Sequence, residues 1–236
     1  MVDASSIVSS VAGFAPAFIL LYFTLKDYTY PEVEKPFFDD RRVFMFFAFG
    51  IIIGMVIFAF ESWGRQVSGE ETIVILVLLF AVMESSMKLV ILNLPRFQRK
   101  VDTAFLGIAL GLGIAATYTF ATVYTSLLAV EEPGAFEYIA FSLIGLQLVL
   151  LQGATTAYIA IGVVRGKIIP YFSEALLTQL GYNLLMIPFF TEAEPWNYLG
   201  IAAASAVVVY SYYKLVTLSL PVLIKDAKKL VKPAAS

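Results

Sequence analysis

The stretch Thr72-Ile-Val-Ile-Leu-Val-Leu-Leu-Phe-Ala-Val-Met-Glu84-Ser-Ser-Met-Lys88-Leu-Val-Ile-Leu-Asn-Leu94 decides how the chain is read. Apart from Glu84, Lys88 and a few small polar residues it is apolar throughout. At about 1.5 Å per residue it is long enough to cross the ~30 Å hydrocarbon core of a bilayer as a helix. Glu84 then lies near mid-depth, roughly 15 Å from the Leu94 end, with Lys88 one turn away on the same face. An ionisable side chain in hydrocarbon is costly enough to mark a functional site by default.

Six more apolar runs accompany it, so spans are expected near 5–25, 43–63, 72–94, 103–129, 136–164, 171–191 and 197–224. The 236 residues are 60% hydrophobic and only 14% charged, which is membrane rather than soluble composition. The connections are short and leave no soluble domain. The expected fold class is therefore all-α, a polytopic membrane protein with seven transmembrane helices in one domain spanning 1–236.

Charge sets the expected direction. Lys26, Lys35, Arg41 and Arg42 lie between the first two spans, Arg96, Arg99 and Lys100 between the third and fourth, and Arg165 and Lys167 between the fifth and sixth. Lys225, Lys228, Lys229 and Lys232 follow the seventh, while the opposite face holds only Arg65. The basic face is cytoplasmic by the positive-inside rule, which puts the N-terminus outside and the C-terminus inside a multi-pass protein of the cell membrane. Val2 to Ser10 lacks the basic segment of a cleaved signal and leads straight into the first span. The outer loops carry Glu70, Glu71, Glu131, Glu132, Glu192 and Glu194, read as solvated tips. The C-terminal lysines read as a positive-inside anchor, with anionic headgroups as the alternative partner.

The chain has no cysteine and no histidine. Disulfides, thiolate nucleophiles, a histidine-dependent zinc site and a Ser-His-Asp triad are all excluded. What remains inside the spans is amide and carboxylate chemistry. Counting from the cytoplasmic ends puts Gln152 and Asn183 at roughly 18 Å and Gln179 at roughly 12 Å, in one layer with Glu84. Lipid offers these groups no hydrogen-bond partner, so they are expected to face the interior and meet one another or water. Glu84 with Lys88, and Gln179 with Asn183, each share a helix face. In the fourth span Gly107, Gly111 and Gly113 form an expected small-residue face for close approach of a neighbouring backbone. Pro16, Pro170, Pro188 and Pro221 are expected to kink spans or mark their ends. Lys214 is expected to snorkel toward the cytoplasmic side.

Glu84-Ser85-Ser86-Met87-Lys88 resembles the E-E-x-x-K motif of the PrsW-type membrane proteases. Asp102, Gly107, Gly111, Gly113 and Ala115 fall at the spacing of that family's next helix, D-G-x-x-x-G-x-x-x-G-x-G-F-A-x-x-E-N. Gln152 with Thr156 resembles its H-x-x-x-T, and Gln179 with Asn183 its H-x-x-x-N. The same clan holds the CAAX-processing proteases and the anterior-pharynx-defective subunit of gamma-secretase. That subunit is similar in its seven spans, in a first helix reading F-G-P-A-F against Phe14-Ala15-Pro16-Ala17-Phe18, and in an N-P-W-Y turn against Glu194-Pro195-Trp196-Asn197-Tyr198. The departures fall on the titratable positions: Ser85 replaces a glutamate, Tyr118-Thr119 replaces Glu-Asn, and Gln152 and Gln179 replace both histidines.

The resemblance implies one of two activities. The first is a non-catalytic membrane scaffold that binds transmembrane segments of partner proteins. The second is an intramembrane glutamyl endopeptidase in which Glu84 activates water and Gln152, Gln179 and Asn183 assist, since amides can stabilise an oxyanion. The enzyme would still lack a second proton carrier for the leaving amine. A retinal protein using Lys214 is disfavoured because the seventh span holds no carboxylate counterion, and a transporter because no internal repeat is visible. The expected surroundings are a lipid bilayer and a membrane-protein partner or transmembrane-helix substrate. No nucleic acid, cofactor or metal is expected.

Overall fold

The structure, a computed structural model, describes residues 3–34, 36–67, 72–191 and 195–231. Lys35, Glu70, Glu71, Glu192, Glu194 and Lys232, named above for their charge, lie outside the described residues. Among the described residues the fold is all-helical with no strand. The helices are α1 (Ala4–Leu25), α2 (Asp40–Val67), α3 (Ile73–Leu92), α4 (Asp102–Leu128), α5 (Ala135–Arg165), α6 (Ile168–Phe190), α7 (Trp196–Lys214) and α8 (Leu220–Val231). Each expected span coincides with a long helix to within a few residues, except that the last one is broken. There a π-helical turn, Leu215–Ser219, joins α7 to α8, just before Pro221, whose ring cannot accept the regular i−4 pattern.

Among the described residues, six helical stretches are long and apolar enough to cross a membrane. α6 is not among them, because Glu174, Gln179 and Asn183 dilute its apolar character. Phe18, Ile52, Phe60, Leu79, Ile139 and Tyr213 are among the many large side chains left exposed. A soluble monomer rarely shows so much contiguous apolar surface, and a lipid environment accounts for it.

α4 is the axis of the bundle: 83% of its most apolar stretch is buried, against 22% for α3. Glycine makes this packing possible, but on two faces rather than one. Cβ atoms at Gly107 and Gly111 would collide with Ala160 and with the Gln152 carbonyl of α5, whereas one at Gly113 would collide with the Phe47 carbonyl of α2. Four residues of separation keep Gly107 and Gly111 on one side of the helix, and the next two turn Gly113 away. Asp102, in the first turn of α4, takes Arg42 at 2.6 Å, where a carboxylate also suits the helix dipole.

The chain passes tightly from α5 to α6. Gly166 closes α5 in the left-handed conformation (φ 64°), and the Lys167 N–H returns to the Gly162 carbonyl at 2.9 Å. Gln152 is then about 20 Å before that corner and Gln179 about 17 Å after it, so the two amides meet at nearly the same height. α7 is fastened by polar contacts. Gln147 donates to Ser205 at 2.6 Å, the Tyr158 hydroxyl donates to the Ser211 carbonyl at 2.7 Å, and the Thr24 and Tyr212 hydroxyls lie 2.8 Å apart.

Candidate functional site

α3, α5 and α6 bring Glu84, Lys88, Gln152 and Gln179 into one buried cluster, exposed by 2%, 0%, 1% and 2%. The Lys88 ammonium stands 2.8 Å from Glu84 Oε1. It donates to Gln152 Oε1 at 2.5 Å and to Thr155 Oγ1 at 3.3 Å, with Gln179 Oε1 at 3.5 Å. Three ammonium protons thus find their acceptors without water. Gln179 completes the circuit by donating through Nε2 to Glu84 Oε2 while its carbonyl oxygen faces Lys88. A single amide therefore bridges both ends of the ion pair and adds the hydrogen bonds that help a buried pair to be tolerated, while Glu84 Oε1 faces the ammonium without a hydrogen bond.

Asn183 does not join this cluster, although it shares a face with Gln179. It sits one turn further along α6 and lines a cavity of ≈ 320 Å³. The same one-turn step relates Glu84 to Phe80 on α3 and Gln152 to Leu148 on α5, and both of those residues also line the cavity. The ion-pair layer is accordingly its floor. α2 and α4 complete the wall with Glu61, Tyr118 and Thr122, and α3 closes against α2 where the Phe80 ring meets Gly64.

Glu61 was not singled out by sequence. It is 8% exposed, accepts from the Tyr118 hydroxyl at 2.6 Å, and has Arg65 at 3.8 Å. It lies close enough to feel the charges of Glu84 and Lys88. Its position near the end of an apolar run reads as ordinary helix-end polarity, and nothing local distinguishes it. Tyr118, noted only as a departure from the protease motif, holds it in place. Thr122 Oγ1 and the Tyr182 hydroxyl are buried at the cavity without hydrogen-bond partners.

Ser85 is fully buried with an unpartnered hydroxyl, and Thr156 bonds back to the Gln152 carbonyl at 2.7 Å. Lys214 turns to Glu174, in the second turn of α6, at 2.5 Å and lies over the Tyr158 ring, so its charge is met by a carboxylate on the way to the basic end of the bundle. Among the described residues no three His, Cys, Asp or Glu side chains come together as a metal site. Comparison with known families, curated proteins and solved structures finds no match for the chain.

Proposed function

We propose that the chain is a non-catalytic membrane scaffold that binds transmembrane segments of partner proteins, similar in kind to the gamma-secretase subunit and to a PrsW-type protease stripped of its acid-base groups. It crosses the cell membrane seven times, with its N-terminus outside and its C-terminus in the cytoplasm. The polar groups that dilute α6 support its counting as a span, because Gln179 is turned inward and satisfied there. The observation that carries the scaffold reading is the condition of Glu84. Lys88 holds the carboxylate charge-compensated through Oε1, which accepts no hydrogen bond, and Gln179 donates to Oε2, so the group is paired and sealed from water, at 2% exposure. Such a cluster locks three helices together without performing chemistry.

The second reading, a glutamyl endopeptidase using Glu84, is favoured by one feature: the second carboxylate, Glu61, stands on the cavity wall in contact with Tyr118, where the protease motif has glutamate. Glu84→Gln separates the two. The change keeps the side chain's shape but strands the buried Lys88 ammonium, so it is run beside the charge-free double variant Glu84→Gln with Lys88→Met. In a scaffold that double variant leaves partner binding intact and every membrane-protein fragment in the cell as before. In a protease either variant removes a general base contributing ~10² to 10⁴-fold in rate, and one specific cleavage stops. Fragments compared between wild-type, deletion, Glu84→Gln and double-variant cells give the answer; a product formed only with intact Glu84 overturns the scaffold.

A further inference from the structure

We propose that the ≈ 320 Å³ cavity above the ion-pair layer is a binding site for a small organic cation, a protonated primary amine carried on an apolar body. The proposal needs only the cavity and stands apart from the choice between scaffold and protease. Three kinds of wall make up the site. Glu61 supplies a buried carboxylate, the only acidic side chain lining it among the described residues. Phe80, Tyr118 and Tyr182 supply aromatic rings, whose electron-rich faces attract a desolvated cation. Aliphatic and methionine side chains from α3, α5 and α6 cover the apolar remainder, and Arg65 of α2 also lines the cavity.

The hydrogen-bonding inventory matches an ammonium head. The Tyr182 hydroxyl, on a residue 3% exposed, has no partner, and Thr122 Oγ1 is likewise unpartnered. Buried polar groups are ordinarily paired, and each orphan calls for an explanation. A primary ammonium has three protons and no acceptor. Glu61, Tyr182 and Thr122 can accept them, and the Asn183 amide oxygen adds a fourth acceptor. Arg65 is the competing cation, yet its guanidinium stands 3.8 Å from Glu61 on a side chain 47% exposed. It can retire toward water when a better-placed cation arrives. The loop after α4 puts Glu131 and Glu132 at the same end of the bundle, both exposed, and negative charge on that end favours the approach of cations. A volume at the small end of ligand pockets limits the occupant to a compact molecule.

The test uses the purified full chain in detergent, with phenethylamine as probe and phenethyl alcohol as its uncharged counterpart. The amine is expected to raise the thermal midpoint saturably and the alcohol to leave it unchanged. Glu61→Gln should weaken the amine about tenfold or more, the scale of losing a charged hydrogen bond. Tyr182→Phe removes a hydroxyl that has no partner to lose, so the variant keeps the parent's stability, and it should weaken the amine severalfold. Equal shifts from amine and alcohol, or an amine response unaltered by Tyr182→Phe, overturn the proposal.

Discussion

Lys88 stands in the bilayer layer with no exposed surface, and its stability there depends on acceptors contributed by three helices. Removing one member of such a group strands the others. Lys88→Ala leaves the Glu84 carboxylate uncompensated, a loss of about 3 to 5 kcal/mol when one partner of a buried pair is deleted. Converting Glu84 to glutamine as well removes the stranded charge. The double variant Lys88→Ala with Glu84→Gln is therefore expected to melt at a higher temperature than Lys88→Ala alone, by calorimetry or a thermal aggregation assay in detergent. Simple additivity of the two changes would mean that the pair does not interact. This cluster was legible in the sequence because a polar residue inside a long apolar run has a definite depth, and depth alone brought Glu84, Gln152 and Gln179 to one level. Asn183 shares that face but lies one turn higher, too small a difference for counting to resolve. Glu61 was not legible at all, since its burial is created by Tyr118, 57 residues away in sequence.

Helices succeed here by close approach, and the glycines of α4 record which neighbours come nearest. Gly111 abuts the backbone and Thr156 side chain of α5, and Gly113 the backbone of α2. Backbone cannot step aside as a flexible side chain can. Gly111→Val is expected to cost at least the ~1 to 3 kcal/mol typical of overpacking. It should also loosen α5, and hence Gln152, from the ion-pair layer. Gly181, with open space where a Cβ would stand, provides the contrast: Gly181→Ala should be neutral or slightly stabilising, since alanine favours the helix by about 1 kcal/mol. Thermal melts of the two variants read the difference, and equal effects would contradict the packing described. The sequence displayed the glycine spacing plainly. It could not say that the three residues divide between two partners, because that depends on where α2 and α5 settle around α4. The π turn before α8 was equally hidden, with only Pro221 as its signal.

At the scale of the whole molecule, two patterns bear on how the chain would sit in a bilayer, and the second supports the proposed direction. One is the apolar belt of exposed side chains that must lie in lipid, and the other is the gathering of basic residues at a single end. Contacts agree on which ends belong together. Arg42 at the start of α2 pairs with Asp102 at the start of α4, and the Arg99 N–H in the loop before α4 reaches the Val163 carbonyl near the end of α5. Arg165, at that same end of α5, meets Asp226 of α8. All four carry or adjoin the positive charges that favour the cytoplasm. The loop of Glu131 and Glu132 joins the opposite ends of α4 and α5, the side that the proposed orientation puts outside. The chain contains no cysteine, so single introduced thiols can be labelled without background. Glu132→Cys and Gln98→Cys both replace exposed loop residues, at opposite ends of the bundle. A membrane-impermeant maleimide added to intact cells should label the first at once and the second only after the membrane is permeabilised. Labelling of Gln98→Cys alone in intact cells would invert the orientation, place the cavity mouth in the cytoplasm, and remove the outside access through which an extracellular amine would reach Glu61.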